Sequence, residues 1–546
     1  MPTGRNRRRY GIGVDTGGTF TDAVLLDLDS RQIIKTSKRP TTHYDISFGV
    51  MAVLAEVLDG IDGKAVADIA LSTTLATNAI AEGHGARVGL VVIGPVKPFD
   101  LPVVSVVYID GGHDHLGREV NPLEPDRIVE MVLSLKGHVD AYAVAASMSL
   151  ANPSHELVVA KAIELLDPKP VFCSHLISRH SGIMERAATA VFHARLMPIL
   201  AKFKLNLKRL AEQKQITADM QIIRGDATAV DLESAVTRAA RTVASGPAAT
   251  ACFGALWAAG QTALIVDVGG TTTDIALIEK GCPVISDSGS LIDRWWTHVD
   301  AVKVHTVGIG GDSHVRIDRA GRLAIGPGRV QSLAMSTGIA DPEGWLACDS
   351  QGRYLVRPAT DNGRSADPLL DRLRNGGCGF AELKERTGMS ESSLERRIGE
   401  LVFQRKVVEI GFTPTDALHV LGELAFGDAT LSAAGARAMA RWRNQTAETF
   451  CKAVVNLTQE KIANAIIAFL AAHVTGRQTA PILPVEQPNP FFSTRFRLSI
   501  PIVGIGAAAG KLLPDMANRL ETRIVFPPHY EVGNAAGAIM IAAPKG

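Results

Sequence analysis

Asp15-Thr16-Gly17-Gly18-Thr19-Phe20-Thr21-Asp22-Ala23-Val24-Leu25-Leu26 returns 252 residues later as Asp267-Val268-Gly269-Gly270-Thr271-Thr272-Thr273-Asp274-Ile275-Ala276-Leu277-Ile278, with seven of the twelve positions identical. A repeat of this kind marks a duplicated structural unit. Each copy follows an apolar run ending in Asp (Ile12-Gly13-Val14-Asp15; Leu264-Ile265-Val266-Asp267) and leads into another, so each reads as two strands joined by a Gly-Gly turn. The paired glycines are expected to turn with positive φ and to bring backbone N–H groups to a ligand, with threonine hydroxyls beside them; such a turn suits a phosphate. A carboxylate at the strand end suits a hydrated Mg2+ or an oriented water. One such turn alone would be only a turn, whereas two in equivalent strand contexts point to the phosphates of a nucleotide.

A chain of 546 residues outgrows one hydrophobic core, so two or more domains are expected. The balance of 57 basic against 56 acidic residues gives no electrostatic reason for nucleic acid or an anionic membrane as main partner, and leaves a small molecule. Six cysteines (Cys173, Cys252, Cys282, Cys348, Cys378, Cys451) show no metal-like spacing, so a reducing, cytoplasmic setting is expected, each thiol being a small buried or half-buried residue. No apolar run reaches the length of a membrane span, and the stretch from Ile462 to Val474, which contains Asn464, reads as a core helix. Residues 1–9, with Arg5, Arg7, Arg8 and Arg9, lack the apolar segment of a secretion signal and read as a solvated basic tail.

From Tyr10 to Ala190 short β-type runs alternate with helical stretches: the hairpin to Asp27, a helix from Ile46 to Leu58, a buried strand from Arg87 to Gly94, a helix from Pro125 to Leu135 and a strand from Ala141 to Ala146. The polar stretch Ser72-Thr73-Thr74-Leu75-Ala76-Thr77-Asn78 reads as a helix start facing a ligand, because capping explains one hydroxyl and not four polar residues. Cys173-Ser174-His175 follows a strand, and a long helix from Gly182 to Phe203, bent at Pro198, can lead to the next domain. Arg241 opens a loop into the small-residue helix at Ser245-Gly246-Pro247-Ala248-Ala249, which suits close packing or a ligand equally. A third glycine turn follows at His305-Thr306-Val307-Gly308-Ile309-Gly310-Gly311-Asp312-Ser313. Near the end, Val503-Gly504-Ile505-Gly506-Ala507 is a strand running into a small-residue turn, and Gly533 to Ala538 is a helix able to pack closely on a neighbour.

Residues 366–412 do not fit the repeat: they read helix, helix, turn at Thr387-Gly388-Met389-Ser390, helix and β-type tail, resembling a winged helix-turn-helix. Six basic residues against five acidic ones between Phe380 and Lys406 argue for a packing module and against a DNA reader. His113-Asp114-His115 has two metal-ligand types but no identifiable third partner, so it reads as a polar loop.

The two Asp-x-Gly-Gly-Thr hairpins, the third glycine turn and the late Gly504-Ile505-Gly506-Ala507 together resemble the actin, Hsp70 and sugar-kinase superfamily. That resemblance implies an α/β fold of duplicated RNase H-like ATPase domains around Mg-ATP, here with the winged-helix-like α insertion. The wording of Gly13 to Asp22, Thr73 to Ala79, Ser245 to Ala249, Asp267 to Asp274, His305 to Gly308 and Thr413-Pro414-Thr415-Asp416-Ala417 looks, more narrowly, like the hydantoinase A/oxoprolinase family, which includes subunits of acetone-type carboxylases. The domains implied are 10–190 (N-terminal ATPase), 191–365 and 413–546 (second ATPase), with 366–412 inserted.

The resemblance implies an ATP-dependent hydrolase that phosphorylates the carbonyl oxygen of a small cyclic amide or imide, with ATP and Mg2+ as cofactors, a hydantoinase B-like partner subunit and an oligomeric state. The alternatives are a regulatory or scaffold ATPase of the same fold, or an acetone-carboxylase-like subunit. It assigns Thr16, Gly17, Gly18, Thr19, Gly269, Gly270, Thr271 and Thr272 to the phosphates, and Asp15 and Asp267 to catalysis and Mg2+. Gly310, Gly311, Gly504, Gly506 and Ala507 fall to the nucleoside, and Thr74, Thr77, Asn78, Ser174, His175 and His305 to the acceptor pocket. The third turn departs from the family's wording by carrying Asp312, and an acidic position before His305 is Lys303 here.

Overall fold

Near-continuous burial decides the first strand: Gly11 to Thr16 of β1 (Tyr10–Thr16) are all buried, which a strand achieves only when both faces are covered. The computed structural model describes residues 9–18, 20–42, 46–73, 85–286, 289–292, 294–318, 320–349, 351–358, 367–374, 376–404, 406–425, 427–476 and 495–543. Its contacts gather into two units, one of Met1–Gln261, Ala276–Lys303 and Val532–Gly546, the other of Thr262–Ile275 and Val304–Glu531. Residues 191–261, grouped above with the second ATPase domain, thus cluster with the first unit.

The first unit runs, in chain order, β1, β2 (Phe20–Asp27), β3 (Ile33–Pro40), α1 (Ile46–Val57), β4 (Val66–Thr73), β5 (Val88–Ile93), β6 (Ser105–Ile109), α2 (Pro125–Leu135), β7 (Ala141–Ala146), α3 (Ser154–Leu166), β8 (Val171–Cys173), α4 (Ser174–Ile177), α5 (Ile183–Gln213), β9 (Asp219–Ile223), α6 (Leu232–Thr237) and α7 (Ser245–Trp257). Its six-stranded main sheet has the order β9-β4-β1-β2-β3 with the short strand Ala229–Asp231 antiparallel at the outer edge of β9, β2 antiparallel to both neighbours, and β4 and β9 parallel to β1. That is the RNase H-like arrangement. A second sheet, β8-β7-β5-β6, is all parallel. α1 covers the main sheet, and the helix Gly533–Ala542 packs on β1 so closely that a Cβ on Gly13 would collide with the carbonyl of Ala535. The same helix meets α7, where only the absent side chain of Gly537 lets the Ala249 carbonyl approach.

In the second unit come β10 (Ala263–Val268), β11 (Thr273–Glu279), β12 (Val304–Val307), β13 (Ser313–Ile317), β14 (Leu323–Arg329), β15 (Tyr354–Val356), α8 (Pro368–Arg372), β16 (Cys378–Gly379), α9 (Phe380–Thr387), α10 (Glu391–Phe403), β17 (Val408–Gly411), α11 (Pro414–Val420), α12 (Ala447–Thr475), β18 (Ile502–Ile505) and β19 (Ile524–Val525). β10 lies between β11 and the parallel β18, with β19 beyond, as β1 lies between β2 and the parallel β4 with β9 beyond. The duplication read in the sequence therefore extends to strand order. The unit boundary falls inside β11, after Ile275.

Residues 367–411 form the expected winged-helix-like module: α8, α9 and α10 pack Leu369, Leu383, Leu394, Ile398 and Leu401 with Leu355 into a core of their own, edged by the antiparallel strands β16-β15-β17. Of its seven described Lys and Arg residues three are in ion pairs, Lys384 with Glu391, Arg386 with Glu382 and Arg397 with Asp367 and Glu400.

Three expectations change. Ser72 and Thr73 end strand β4 instead of opening a helix, because β4 needs them to complete its ladder with Asp15 and Thr16. The long helix α5 spans 31 residues, ending at Gln213, and continues through Pro198. Cys282 and Cys348 are exposed, although Cys173, Cys378 and Cys451 are buried as expected.

Candidate active site

The first hairpin places Asp15 near the end of β1, opposite Asp22 of β2, with Lys38 of β3 next in register. Lys38 Nζ lies 2.6 Å from Asp22 Oδ1, so one cation serves two carboxyls. Asp15 is only 4% exposed. Ser72 donates its hydroxyl to Asp15 Oδ1 (2.6 Å), and the amide of Asn534 donates to the same carboxyl. Thr250 Oγ1 sits 2.6 Å from Asn534 Oδ1, which turns the amide's NH2 group toward Asp15. Burial pushes the Asp15 carboxyl up to about 7, with the nearby Asp22 adding to it, while Ser72, Lys38 and Asn534 pull the other way. Burial likewise raises Asp22, against the opposing effect of Lys38. Gly246 opens α7 with its α-carbon toward Asp15, where a Cβ would sit 3.5 Å from Oδ1. Asp15 thus faces the first turns of two helices, α7 and Gly533–Ala542, whose partial positive charge favours a carboxylate or a phosphate.

Both hairpin turns close alike. Gly17 N–H donates to Phe20 O (2.9 Å) and Gly269 N–H to Thr272 O (3.0 Å), the same bond 252 positions apart. None of Gly17, Gly18, Gly269 or Gly270 has positive φ, contrary to expectation; the glycines serve close approach. Among the described residues, a Cβ on Gly18 would meet nothing within 4 Å. Gly270 is instead bounded by Asp312, whose Oδ2 would lie 2.5 Å from a Cβ there.

In the second unit the third turn docks backbone to backbone on the second hairpin: Gly311 N–H donates to Gly269 O (3.0 Å) and Asp312 N–H to Gly270 O (2.6 Å). A Cβ on Gly310 would sit 2.5 Å from Gly269 O. Thr415 holds the turn from behind, donating its N–H (2.9 Å) and hydroxyl (2.8 Å) to Gly311 O. Thr415 is itself fixed by the capping box of α11, in which buried Asp416 accepts from Thr413 N–H and hydroxyl, Leu333 N–H, Ala334 N–H and Ser432 hydroxyl. Asp267, at the end of β10, is 9% exposed, and Gly506, at φ +95°, brings the backbone after β18 against its carboxylate. Burial raises Asp312, with Arg329 at 3.7 Å lowering it and Asp416 raising it further. Asp274, the repeat of Asp22, has Thr306 hydroxyl at 2.6 Å where Asp22 has a lysine.

The remaining sequence-predicted residues are distributed differently. Thr19, Thr74, Thr77 and Asn78 lie outside the described residues. Thr16 is buried at the end of β1, Thr271 and Thr272 are half-buried, and Ala507 is exposed. Gly504 has a packing reason: a Cβ there would lie 2.5 Å from the Phe526 ring. Ser174 and His175 both serve the fully buried Glu156, Ser174 by its hydroxyl (2.7 Å) and His175 by its N–H (3.1 Å) and its Nδ1 (2.5 Å). His305 belongs to the second unit and stacks on Phe469 of α12.

Glu156, Cys173 and His175 are the one group among the described residues close enough to share a metal. The site suits none. Glu156 already accepts four hydrogen bonds, and burial first, then Glu156, push the Cys173 thiol up to about 12, far from the thiolate a metal needs. His113 packs against His155 while His115 is exposed, so that pair does not converge. Sequence reasoning missed Ser72 and Asn534 as the residues that hold Asp15; the signal for Asn534 was one amide in a run of Gly and Ala.

Paired RNase H-like sheets, each with a glycine hairpin and an aspartate at the strand end, define a protein of the duplicated α/β ATPase fold. The family model of the hydantoinase/oxoprolinase N-terminal region matches residues 11–166, and that of hydantoinase/oxoprolinase matches residues 186–545, so the chain belongs to the hydantoinase/oxoprolinase family. It is similar to caprolactamase subunit alpha of Pseudomonas jessenii, at 27% identity over 59% of this chain and 51% of that protein. It is also similar to acetophenone carboxylase gamma subunit of Aromatoleum aromaticum, at 28% identity over 59% of this chain and 50% of that one. The chain therefore spans about half the length of these curated relatives. The crystal structure of ATP-dependent caprolactamase from Pseudomonas jessenii shares the fold, with a TM-score of 0.65 at 21% identity over 97% of this chain and 70% of that one.

Proposed function

We propose that the chain is the nucleotide-binding, carbonyl-activating part of an ATP-dependent enzyme that opens a small cyclic amide or imide. The observation that carries this reading is the repeated hairpin, with a buried aspartate at each strand end and backbone N–H groups beside it. A Mg2+ fits the first hairpin chemically. Asp15 and Asp22 are two buried carboxyls that share one lysine, and burial, against the pull of Lys38, raises the proton affinity of both, so a cation there would relieve that cost. Asp15 in the first unit and Asp267 in the second are each a candidate ligand for Mg2+, directly or through water, and the turns at Gly17-Gly18 and Gly269-Gly270 are each a candidate phosphate cradle.

When bound, Mg-ATP supplies a transferable phosphoryl group, and a phosphorylated amide oxygen is a far better leaving group than a free one. The chain's own contribution is positioning and charge control. Ser72 and Asn534 fix the Asp15 carboxylate in one orientation, so it can take a proton or orient a nucleophile without reorganising. The stack of Asp416, Thr415, Gly311 and Gly269 keeps the second turn rigid. The likeness to subunits supports a partner subunit that completes the reaction.

Purified chain tested for Mg-dependent ATP hydrolysis with hydantoins, lactams and 5-oxoproline, beside Asp15→Asn, decides the matter. Stimulation of wild type by one ring compound, abolished in the variant, is expected. ATP binding with no response to any ring compound, with or without a co-expressed partner, would sink the cyclic-amide reading; a response to ketones with bicarbonate would move it to carboxylation.

A further inference from the structure

The first unit also holds a cavity that no hairpin residue lines. It opens, with a volume of about 440 Å³, between β8, α4, α5 and the turn Ala239–Thr242. One side is apolar, made by Phe172, Leu176 and Ile177. Three guanidinium groups, Arg179, Arg238 and Arg241, line the other, and none makes an ion pair or side-chain hydrogen bond with the described residues. The fourth polar wall is His193, 2% exposed, with its ring edge-to-face on Phe172 and its buried Nδ1 without a partner.

We infer that this cavity binds a small organic anion, a carboxylate on an apolar body, with the carboxylate among Arg238, Arg241 and Arg179 and the body against Phe172, Leu176 and Ile177. Three arginines lining one cavity repel one another, and an anion bound among them lowers that cost. Burial and the adjacent Arg224 and Arg238 lower the proton affinity of Arg241, with Asp300 and Asp226 opposing, and Asp226 is already engaged by Arg224 at 2.7 Å. A buried polar atom without a partner is rare, and His193 Nδ1 gains one from a carboxylate or its bridging water. Burial holds the His193 ring down to about 4, so it is neutral at pH 7 and adds a hydrogen bond, not a charge. The apolar wall separates this site from a simple phosphate site, which needs no hydrocarbon surface. Glu156 does not compete, because its oxygens are engaged by Ala146, Ser174 and His175 behind the wall.

The test is isothermal titration of the full chain at low ionic strength with hexanoate, benzoate, inorganic phosphate and sulfate, without nucleotide. Hexanoate or benzoate should bind saturably and at least about tenfold more tightly than phosphate or sulfate. Arg241→Gln and Arg238→Gln should each weaken it about tenfold or more, a difference of about 1.4 kcal/mol. Arginine modification by phenylglyoxal, mapped by mass spectrometry on the wild-type chain, gives an answer even where a variant misfolds: hexanoate should protect Arg179, Arg238 and Arg241 and no other arginines. Binding of phosphate as tight as that of hexanoate, undiminished binding in both variants, or no saturable binding and no protection would each overturn the inference. It does not depend on the nucleotide reading, because no hairpin residue lines the cavity.

Discussion

Replacing Asp15 by Asn removes a charge that the fold holds at a cost, and pH exposes the cost. Unfolded, the carboxyl has its ordinary value of 3.8; folded, burial brings it to about 7. Between those values the folded chain keeps a proton that the unfolded chain has lost, so the stability carried by that proton is complete below 3.8 and lost as pH rises through 7. At about 1.36 kcal/mol per pH unit, the cost of Asp15 relative to a permanently neutral side chain is about 2 kcal/mol at pH 5.5 and about 4 kcal/mol at pH 8. The amide in the variant has no such dependence. Any misfit it makes against Asn534 shifts all pH values alike, so the change with pH is the test. Thermal melts without nucleotide or Mg2+ should show the variant gaining about 2 kcal/mol on wild type between pH 5.5 and 8, roughly 3 °C in Tm for a unit of this size. The same variant should lose ATP turnover. A Tm difference that stays constant over that range, or shrinks as pH rises, would refute the burial argument for Asp15.

Gly310→Ala should drive the third turn off the second hairpin, because its Cβ would stand 2.5 Å from Gly269 O; ATP affinity by fluorescence titration should fall at least about tenfold. Asp416→Ala leaves five donors without their acceptor and should cost about 3–5 kcal/mol in urea denaturation, with Asp416→Asn costing less. A thiol reagent at pH 8 should modify Cys282 and Cys348 rapidly and Cys173 only after unfolding, since Cys173 is buried and its thiol is pushed up to about 12.

The hairpins were legible because a twelve-residue phrase occurring twice leaves little else to be read. The strand order was not legible in the repeat itself and came only with the resemblance to the actin, Hsp70 and sugar-kinase superfamily. Ser72 and Thr73 were misread for a physical reason: a run of small polar residues looks like a capped helix start, yet burial between β1 and α7 made them the end of a strand. Of the two reasons the sequence suggested for the hairpin glycines, positive φ is absent at Gly17, Gly18, Gly269 and Gly270. Thr413-Pro414-Thr415-Asp416 was visible only as family wording; its role, a capping box that props Gly311, spans more than a hundred positions and leaves no local pattern. Arg241 looked like a loop residue because nothing in one dimension shows that Arg179 and Arg238 share its cavity.

Asn534 has a consequence for how the chain is made. Val532 is 271 positions beyond Gln261, so a ribosome adding about 5–20 residues per second reaches it roughly 14–54 s after the first long segment of its unit has emerged. Through that interval the β1 face around Gly13 waits for its covering helix, and Asp15 waits for its amide partner. Folding of the first unit is therefore completed only once the helix Gly533–Ala542 has emerged, and a nascent-chain binding protein has a defined apolar surface to shield until then.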